Sequence, residues 1–325
     1  MRVSGTGWST RRVVLGCGSF GGIGGAKDLI GRGLNLEASL ATLDEAAALG
    51  VTMLDTAERY AAGASESMIG RWLAERDRSV TDPVRITTKV APPGMSGRDD
   101  PFDGSFIEPI FAGSLERLAV GRVEWLLIHA PDDTTPVEAT LEGLESIRAS
   151  GRCGHVGACN LDAGQLRTAL AAADRLGITG YELVQNGYSL LGPDDDAEVR
   201  SICRESGLEF TAFSALAGGV LTGKYRRGQS PAPGTRLALR PEGFDELLTP
   251  AVHDAIDGLV AVAEAHGVSA GGLALAWLMH HVTALITGPG RTAPHLRVVA
   301  EALRVNLDNE TMTELTESFR SAAQR

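Results

Sequence analysis

The sequence predicts a (β/α)8 barrel occupying residues 1–325 as a single domain. Three observations predict it. Eight short runs rich in Val, Ile, Leu and Thr recur along the chain. Longer stretches with apolar residues at helical spacing lie between them. The helical stretches repeatedly end at glycine, at Gly50, Gly151, Gly177, Gly207 and Gly267, which suits the left-handed cap that closes a helix. Strands alternating with helices pair in parallel through right-handed crossovers, and eight such units close into a barrel. A doubly wound open sheet is the alternative that shares this alternation.

The elements follow in order. Val13–Cys17 reads as the first strand and runs into a glycine-rich loop, Gly16 to Gly25. Leu36–Leu49, with a heavily apolar face, is the first helix. Val51–Thr56 is the second strand, and Ser65–Glu75 a helix whose opening serine suits a cap. Val84–Val90 leads through a Pro-, Gly- and Asp-rich loop, Ala91–Ser105, to the helix Phe106–Leu118. Val123–His129, His155–Asn160 and Leu183–Asn186 are strands, each followed by a helix: Val137–Ala149, Ala163–Leu176 and Ala197–Glu205. Leu208–Ser214 is the seventh strand, and an irregular stretch, Gly218–Pro250, follows it. Val252–His266 and Gly271–His281 are two helices where one crossover needs only one. Ala284–Thr287 is the last strand, with Pro294–Leu303 and Glu310–Ala323 as closing helices. The loops around 91–105 and 218–250 both follow strands. They therefore fall on the face that carries active sites in such barrels, and loops of this length are often functional.

With 325 residues, 43% hydrophobic and 22% charged, the composition is that of a globular protein. The formal net charge of −11 argues against nucleic acid or an anionic membrane as a partner. No apolar run reaches the roughly 18 residues that cross a bilayer. The N-terminus lacks the apolar stretch of a signal peptide, so a cytoplasmic location is expected. Cys17, Cys153, Cys159 and Cys203 show no C-x-x-C pair and no zinc-like spacing, which predicts free buried thiols and no metal.

Four residues carry the chemistry. Asp55 and Tyr60 lie in Leu54-Asp-Thr-Ala-Glu-Arg-Tyr60, Lys89 ends the run Val84–Val90, and His129 ends Val123–His129. Each sits at or just beyond the C-terminal end of a strand, so a parallel barrel would gather them on one face. Lys89 is one of three lysines in a chain whose other basic residues are arginine. Unlike arginine, a buried lysine can shift its pKa. Its ammonium beside a phenol lowers the phenol's pKa, a carboxylate keeps the ammonium charged, and a histidine can hydrogen-bond a substrate oxygen. Singly, these could be a structural ion pair, a loop tyrosine and a core histidine. Together they make a proton-transfer device.

These motifs resemble the aldo-keto reductase family over essentially the whole chain. Leu54-Asp-Thr-Ala-x-x-Tyr60 with Gly63-x-Ser-Glu66-x-x-Ile-Gly70 is similar to the family's first signature. Ser114-Leu-Glu-Arg-Leu118 leading to Leu127-Ile-His129-x-Pro-Asp132 is similar to the second. The resemblance implies Tyr60 as general acid/base, Lys89 as its pKa-lowering partner, Asp55 as partner of Lys89, and His129 as orienter of the carbonyl. The aspartate usual five residues before the histidine is Glu124 here.

The resemblance also implies a nicotinamide dinucleotide, usually NADP(H), with NAD(H) as the alternative, because the chain itself supplies no hydride. It brings Gly18 and Ser19 to the cofactor and Phe20 to the substrate pocket. Cys159, in place of the usual serine, Asn160 and Gln185 fall at the positions that hold the carboxamide. Phe213, in place of tyrosine, falls where an aromatic stacks on nicotinamide. Ser214, Leu216 and Gly218 follow along the pyrophosphate, and Lys224 faces phosphate. Gly288, Arg291 and His295 fall in the loop after the last strand, where Arg291 can fork onto a 2′-phosphate. Gly290 stands as an insertion there, and Val299 replaces an asparagine.

The expected activity is reversible reduction of an aldehyde or ketone, with a small carbonyl compound or a sugar as partner. Sugar or polyol oxidation is the variant within the same chemistry. A cofactor-binding regulatory barrel of the kind that serves channel assemblies, and a non-redox barrel enzyme using Asp55, Glu66 or His129, are the readings from other classes. Nothing in the sequence sets the oligomeric state or the individual substrate.

Overall fold

The computed structural model describes residues 10–241, 247–288 and 296–324. All eight expected strands form: β1 (Val13–Gly16), β2 (Met53–Asp55), β3 (Arg85–Val90), β4 (Val123–Ile128), β5 (Cys153–Cys159), β6 (Leu183–Gly187), β7 (Glu209–Phe213) and β8 (Ala284–Thr287). They close into a barrel in the order β1 to β8, the (β/α)8 fold. The chain forms two compact units. One comprises Val14–Asn186 and Asp196–Thr211; the other comprises residues 10–13, Gly187–Asp195 and the described part of Ala212–Arg325.

The larger unit holds β1 to β6, paired in parallel, and their register aligns the chemistry. Gly16 pairs with Asp55 and Asp55 with Thr87; Lys89 pairs with Leu127; Cys159 pairs with Gln185. The hydrogen-bond ladder continues past the strand ends. Thr56 N–H donates to Thr87 O, Glu58 N–H to Lys89 O, His129 N–H to Val90 O, and Asn160 N–H to Gln185 O. The loops that follow these strands are thus held to their neighbours before they diverge. In β5, Gly157 leaves no room for a side chain: a Cβ there would lie 2.5 Å from Leu183 O and 2.8 Å from Leu127 Cδ2.

The helices of this unit are α1 (Leu36–Ala48), α2 (Ala64–Glu75), α3 (Arg78–Thr81), α4 (Gly104–Leu118), α5 (Val137–Ala149), α6 (Ala163–Leu176) and α7 (Ala197–Ser206). Their starts are chemically marked. Asn35 caps α1, Asp103 caps α4, and Asp162 with Gln165 forms a capping box on α6. The five glycines expected to close helices all adopt positive φ. The start of α2 differs from expectation. Its cap position is Gly63, with φ of 88° and no side-chain cap bond. Ser65 instead turns inward, donating to Cys17 O and sharing a hydrogen bond with Thr56 Oγ1. Its hydroxyl thus ties the helix to the segments that follow β1 and β2 instead of capping it.

In the other unit the two helices that follow the long loop are Pro250–Ala265 and Ala270–Met279, and every residue of the second is buried. Among the described residues no single helix is long and apolar enough to cross a membrane. The expected helix Pro294–Leu303 is seen as Arg297–Ala302, its first residues lying outside the described ones. All four cysteines are free and buried.

Candidate active site

Asp55 and Tyr60 come from β2 and its following loop, Lys89 from β3, His129 from the residue after β4, and the structure brings them together. Lys89 Nζ lies 2.6 Å from Asp55 Oδ1, 2.9 Å from Thr56 O and 3.4 Å from Tyr60 Oη. The His129 ring meets the Tyr60 ring edge-on, with centroids 5.6 Å apart. Lys89 is 1% exposed and Asp55 3%, so the pair has almost no water to screen it. An ion pair in such a place persists only when its hydrogen bonds are satisfied. Here the ammonium has three oxygen partners.

Burial alone pulls Lys89 down, but the Asp55 carboxylate and the neighbouring Tyr60 outweigh it, and its pKa is raised above the ordinary lysine value. Tyr60 behaves differently from the expectation that Lys89 would bring it below the ordinary tyrosine value. Lys89 does act downward, but desolvation of the phenol is larger and raises it to about 12. His129 is lowered to about 3, first by burial and then by the Lys89 and Arg59 charges, which makes it a neutral imidazole at ordinary pH. Its Nδ1 is buried without a hydrogen-bond partner among the described residues.

The residues expected at a carboxamide also gather in this unit. Cys159 Sγ lies 3.5 Å from Gln185 Oε1, and Asn160, at φ of 59°, donates from Nδ2 to His129 O. Gly18 lies against the Tyr60 ring, where a Cβ would sit 3.5 Å from Cε2. Ser19 has a buried hydroxyl without a partner among the described residues. Phe20, expected to line the substrate pocket, is fully buried and bridges to Leu34.

In the other unit, the Phe213 ring packs against the backbone of Gly187, where a Cβ would lie 3.3 Å from it. Ser214, Ala217, Gly218 and Gly219 all take positive φ, with Leu216 between them. Lys224 Nζ reaches back over this turn, so that a Cβ on Gly219 would meet it at 2.4 Å. Gly288 is exposed with open space around it, while Arg291 and His295 lie outside the described residues, as does Gly290. Val299 is buried.

Residues 12–319 match the Aldo/keto reductase family. An oxidoreductase of uncharacterised role from Bacillus subtilis, YrpG, is 32% identical over 85% of each chain. A probable voltage-gated potassium channel subunit beta from rice is 32% identical over 81% of each. The fission-yeast aldo-keto reductase yakc [NADP(+)] is 26% identical over 88% of this chain and 84% of its own. The chain belongs to the aldo/keto reductase family.

In the larger unit of this aldo/keto reductase, the Asn160 and Gln185 side-chain amides are groups of the kind that hold a nicotinamide carboxamide. In the other unit, taken by itself, the Lys224 cation beside the Gly219 backbone is of the kind that holds a phosphate. Glu66, which the sequence suggests only as a residue of a non-redox barrel enzyme, lies at the centre of a buried network. Glu66, 0% exposed on α2, accepts from Thr88 Oγ1 at 2.5 Å and from Arg117 Nε at 2.7 Å. Thr88 precedes Lys89 on β3, and Arg117 passes beneath Gly63, whose Cβ would lie 2.8 Å from it. Glu58 adds a second tie, accepting from Ala91 N–H. The signal was present in the sequence. Glu66 and Arg117 both stand inside the signature motifs, but spacing alone gives no reason to pair them.

Proposed function

We propose that this protein reduces an aldehyde or ketone to an alcohol, reversibly, with NADP(H) and with Tyr60 as proton donor. The buried Asp55–Lys89 pair with Lys89 Nζ 3.4 Å from Tyr60 Oη carries the reading.

Tyr60, raised to about 12, stays protonated at neutral pH and is therefore in the donor form. As its proton passes to the substrate oxygen, the Lys89 ammonium stabilises the phenolate left behind, and Asp55 holds that ammonium in place. His129 is neutral, and its Nδ1 is unpartnered among the described residues. A buried N–H without an acceptor is costlier than an unfilled lone pair, so the proton belongs on Nε2, where it can donate to the substrate oxygen. When bound, the cofactor supplies the hydride. Asn160 and Gln185 would hold its carboxamide, with Cys159 beside them. Preference for NADP(H) rests on Arg291 in the sequence and agrees with the name of the yeast relative. The same residues run in reverse would oxidise a sugar or polyol.

The test is NADPH and NADH oxidation with 4-nitrobenzaldehyde and a carbonyl panel, with sugars assayed in reverse. Tyr60→Phe should lower turnover by about 10²-fold or more, the range of general acid catalysis, while NADPH affinity by fluorescence quenching is retained. Unchanged turnover removes Tyr60 as the acid. The channel-subunit names among the relatives favour one second reading, a cofactor-binding barrel with little turnover. Tight NADPH binding with no reduction across the panel would select it.

A further inference from the structure

We propose that Gln185 is a positioning residue for the proton-transfer group: its side-chain amide reaches from β6 to β2 and holds the second oxygen of Asp55. Resemblance gave Gln185 only to the cofactor. The geometry gives it another partner. Asp55 Oδ1 accepts from Lys89, and Oδ2 accepts from Gln185 Nε2 at 2.9 Å. Gln185 is 4% exposed, as deeply placed as Asp55, so no water replaces the bond if it is lost. β2 and β6 are four places apart in the closed order of eight, which makes this a contact across the strands rather than along a ladder.

The chemistry fixes the amide's orientation. A carboxylate only accepts, so the group facing Oδ2 must be the NH2, and Gln185 Oε1 must point away from it. Oε1 meets Cys159 Sγ at 3.5 Å. A thiol is a weak donor, so Cys159 leaves the Oε1 lone pairs largely available, where a serine hydroxyl would occupy them more firmly. Gln185 is then an acceptor toward the cofactor and a donor toward Asp55. Its donor side keeps the carboxylate from rotating about its side-chain bonds, and so keeps Lys89 aimed at Tyr60. The link to catalysis rests on the function proposed above; the contact itself does not.

Two variants separate the roles. Gln185→Met removes donor and acceptor. Gln185→Glu keeps an acceptor oxygen but sets a carboxylate against Asp55. For a positioning residue, kcat for NADPH-dependent reduction of 4-nitrobenzaldehyde falls about tenfold or more in both, and the alkaline limb of the kcat–pH profile moves by about half a unit or more. The NADPH Kd, read by fluorescence quenching, weakens mainly in Gln185→Met. If Gln185 serves the carboxamide alone, Gln185→Glu keeps the wild-type kcat and alkaline limb, and that result overturns the proposal. Should Gln185→Met fail to fold, Gln185→Glu still decides. Should the wild-type protein neither bind NADPH nor reduce the aldehyde, the functional reading fails, and urea unfolding tests the contact by itself. Gln185→Glu, Asp55→Asn and the double variant form a cycle in which the unfolding constants should couple by about tenfold. An additive cycle rejects the contact.

Discussion

Arg117 shows how far from the reacting atoms the site is built. Its guanidinium stands between the fully buried Glu66 and the backbone of Gly63, three residues after Tyr60. Glu66 in turn holds Thr88, one residue before Lys89. One buried carboxylate therefore links the strand that carries Lys89 to the arginine that lies against the loop after Tyr60. Arg117→Met leaves that carboxylate buried with one oxygen unpaired, and breaking a buried pair by removing one partner costs about 3 kcal/mol. Urea unfolding should show a loss of that order. Glu66→Gln added to Arg117→Met should restore part of it, because a neutral amide tolerates burial better. Equal losses in the single and double variants would mean that the charge of Glu66 is not what Arg117 supports.

At the scale of elements, the loop from β2 to α2 carries the clearest strain. Ala61 and Ala62 both adopt left-handed backbone, at φ of 49° and 55°, directly after Tyr60. That conformation costs an L-residue roughly 1–2 kcal/mol, and glycine avoids it at an entropic cost of about 0.5–1 kcal/mol. Ala62 is exposed, so Ala62→Gly loses little packing. The variant should be more stable by up to about 1 kcal/mol in chemical denaturation; a destabilised variant would show that Ala62 is not strained. The strand and helix pattern around this loop was readable beforehand, because β-branched runs such as Arg85–Val90 and helix-closing glycines are local signals. The meeting of Asp55, Tyr60, Lys89 and His129 was readable too, since position at a strand end is also local. Ser65, Phe20 and the Gln185–Asp55 bond were not. Each depends on which side chain a closed barrel brings opposite, and for Gln185 that partner lies 130 residues away. The phenol's pKa departs from the expected direction for a related reason: sequence names the neighbouring charge but not the depth of burial opposing it.

For the molecule as a whole, the site implies a sensitivity to acid. His129 falls from the ordinary 6.5 to about 3 in the folded protein, through burial first and then the Lys89 and Arg59 charges. Between those values the unfolded chain takes up a proton that the folded one refuses. Stability from this group is thus present above about pH 6.5 and drains away as pH falls toward 3. At pH 5 the loss from His129 should be on the order of 1–2 kcal/mol. Glu58 works in the opposite sense, since burial raises its pKa and the folded state holds its proton more tightly. Paired carboxylates such as Asp44, lowered by Arg76, lose stability in acid as well. The His129 share must therefore be read as a difference. Urea unfolding at pH 7 and pH 5 should show a smaller pH-dependent loss in His129→Gln than in the wild-type chain, by that same amount, because the amide cannot take up the proton in either state. Parallel losses in the two proteins would mean that His129 accepts its proton in the folded state, and the neutral Nε2–H donor assigned to it would then have to be withdrawn.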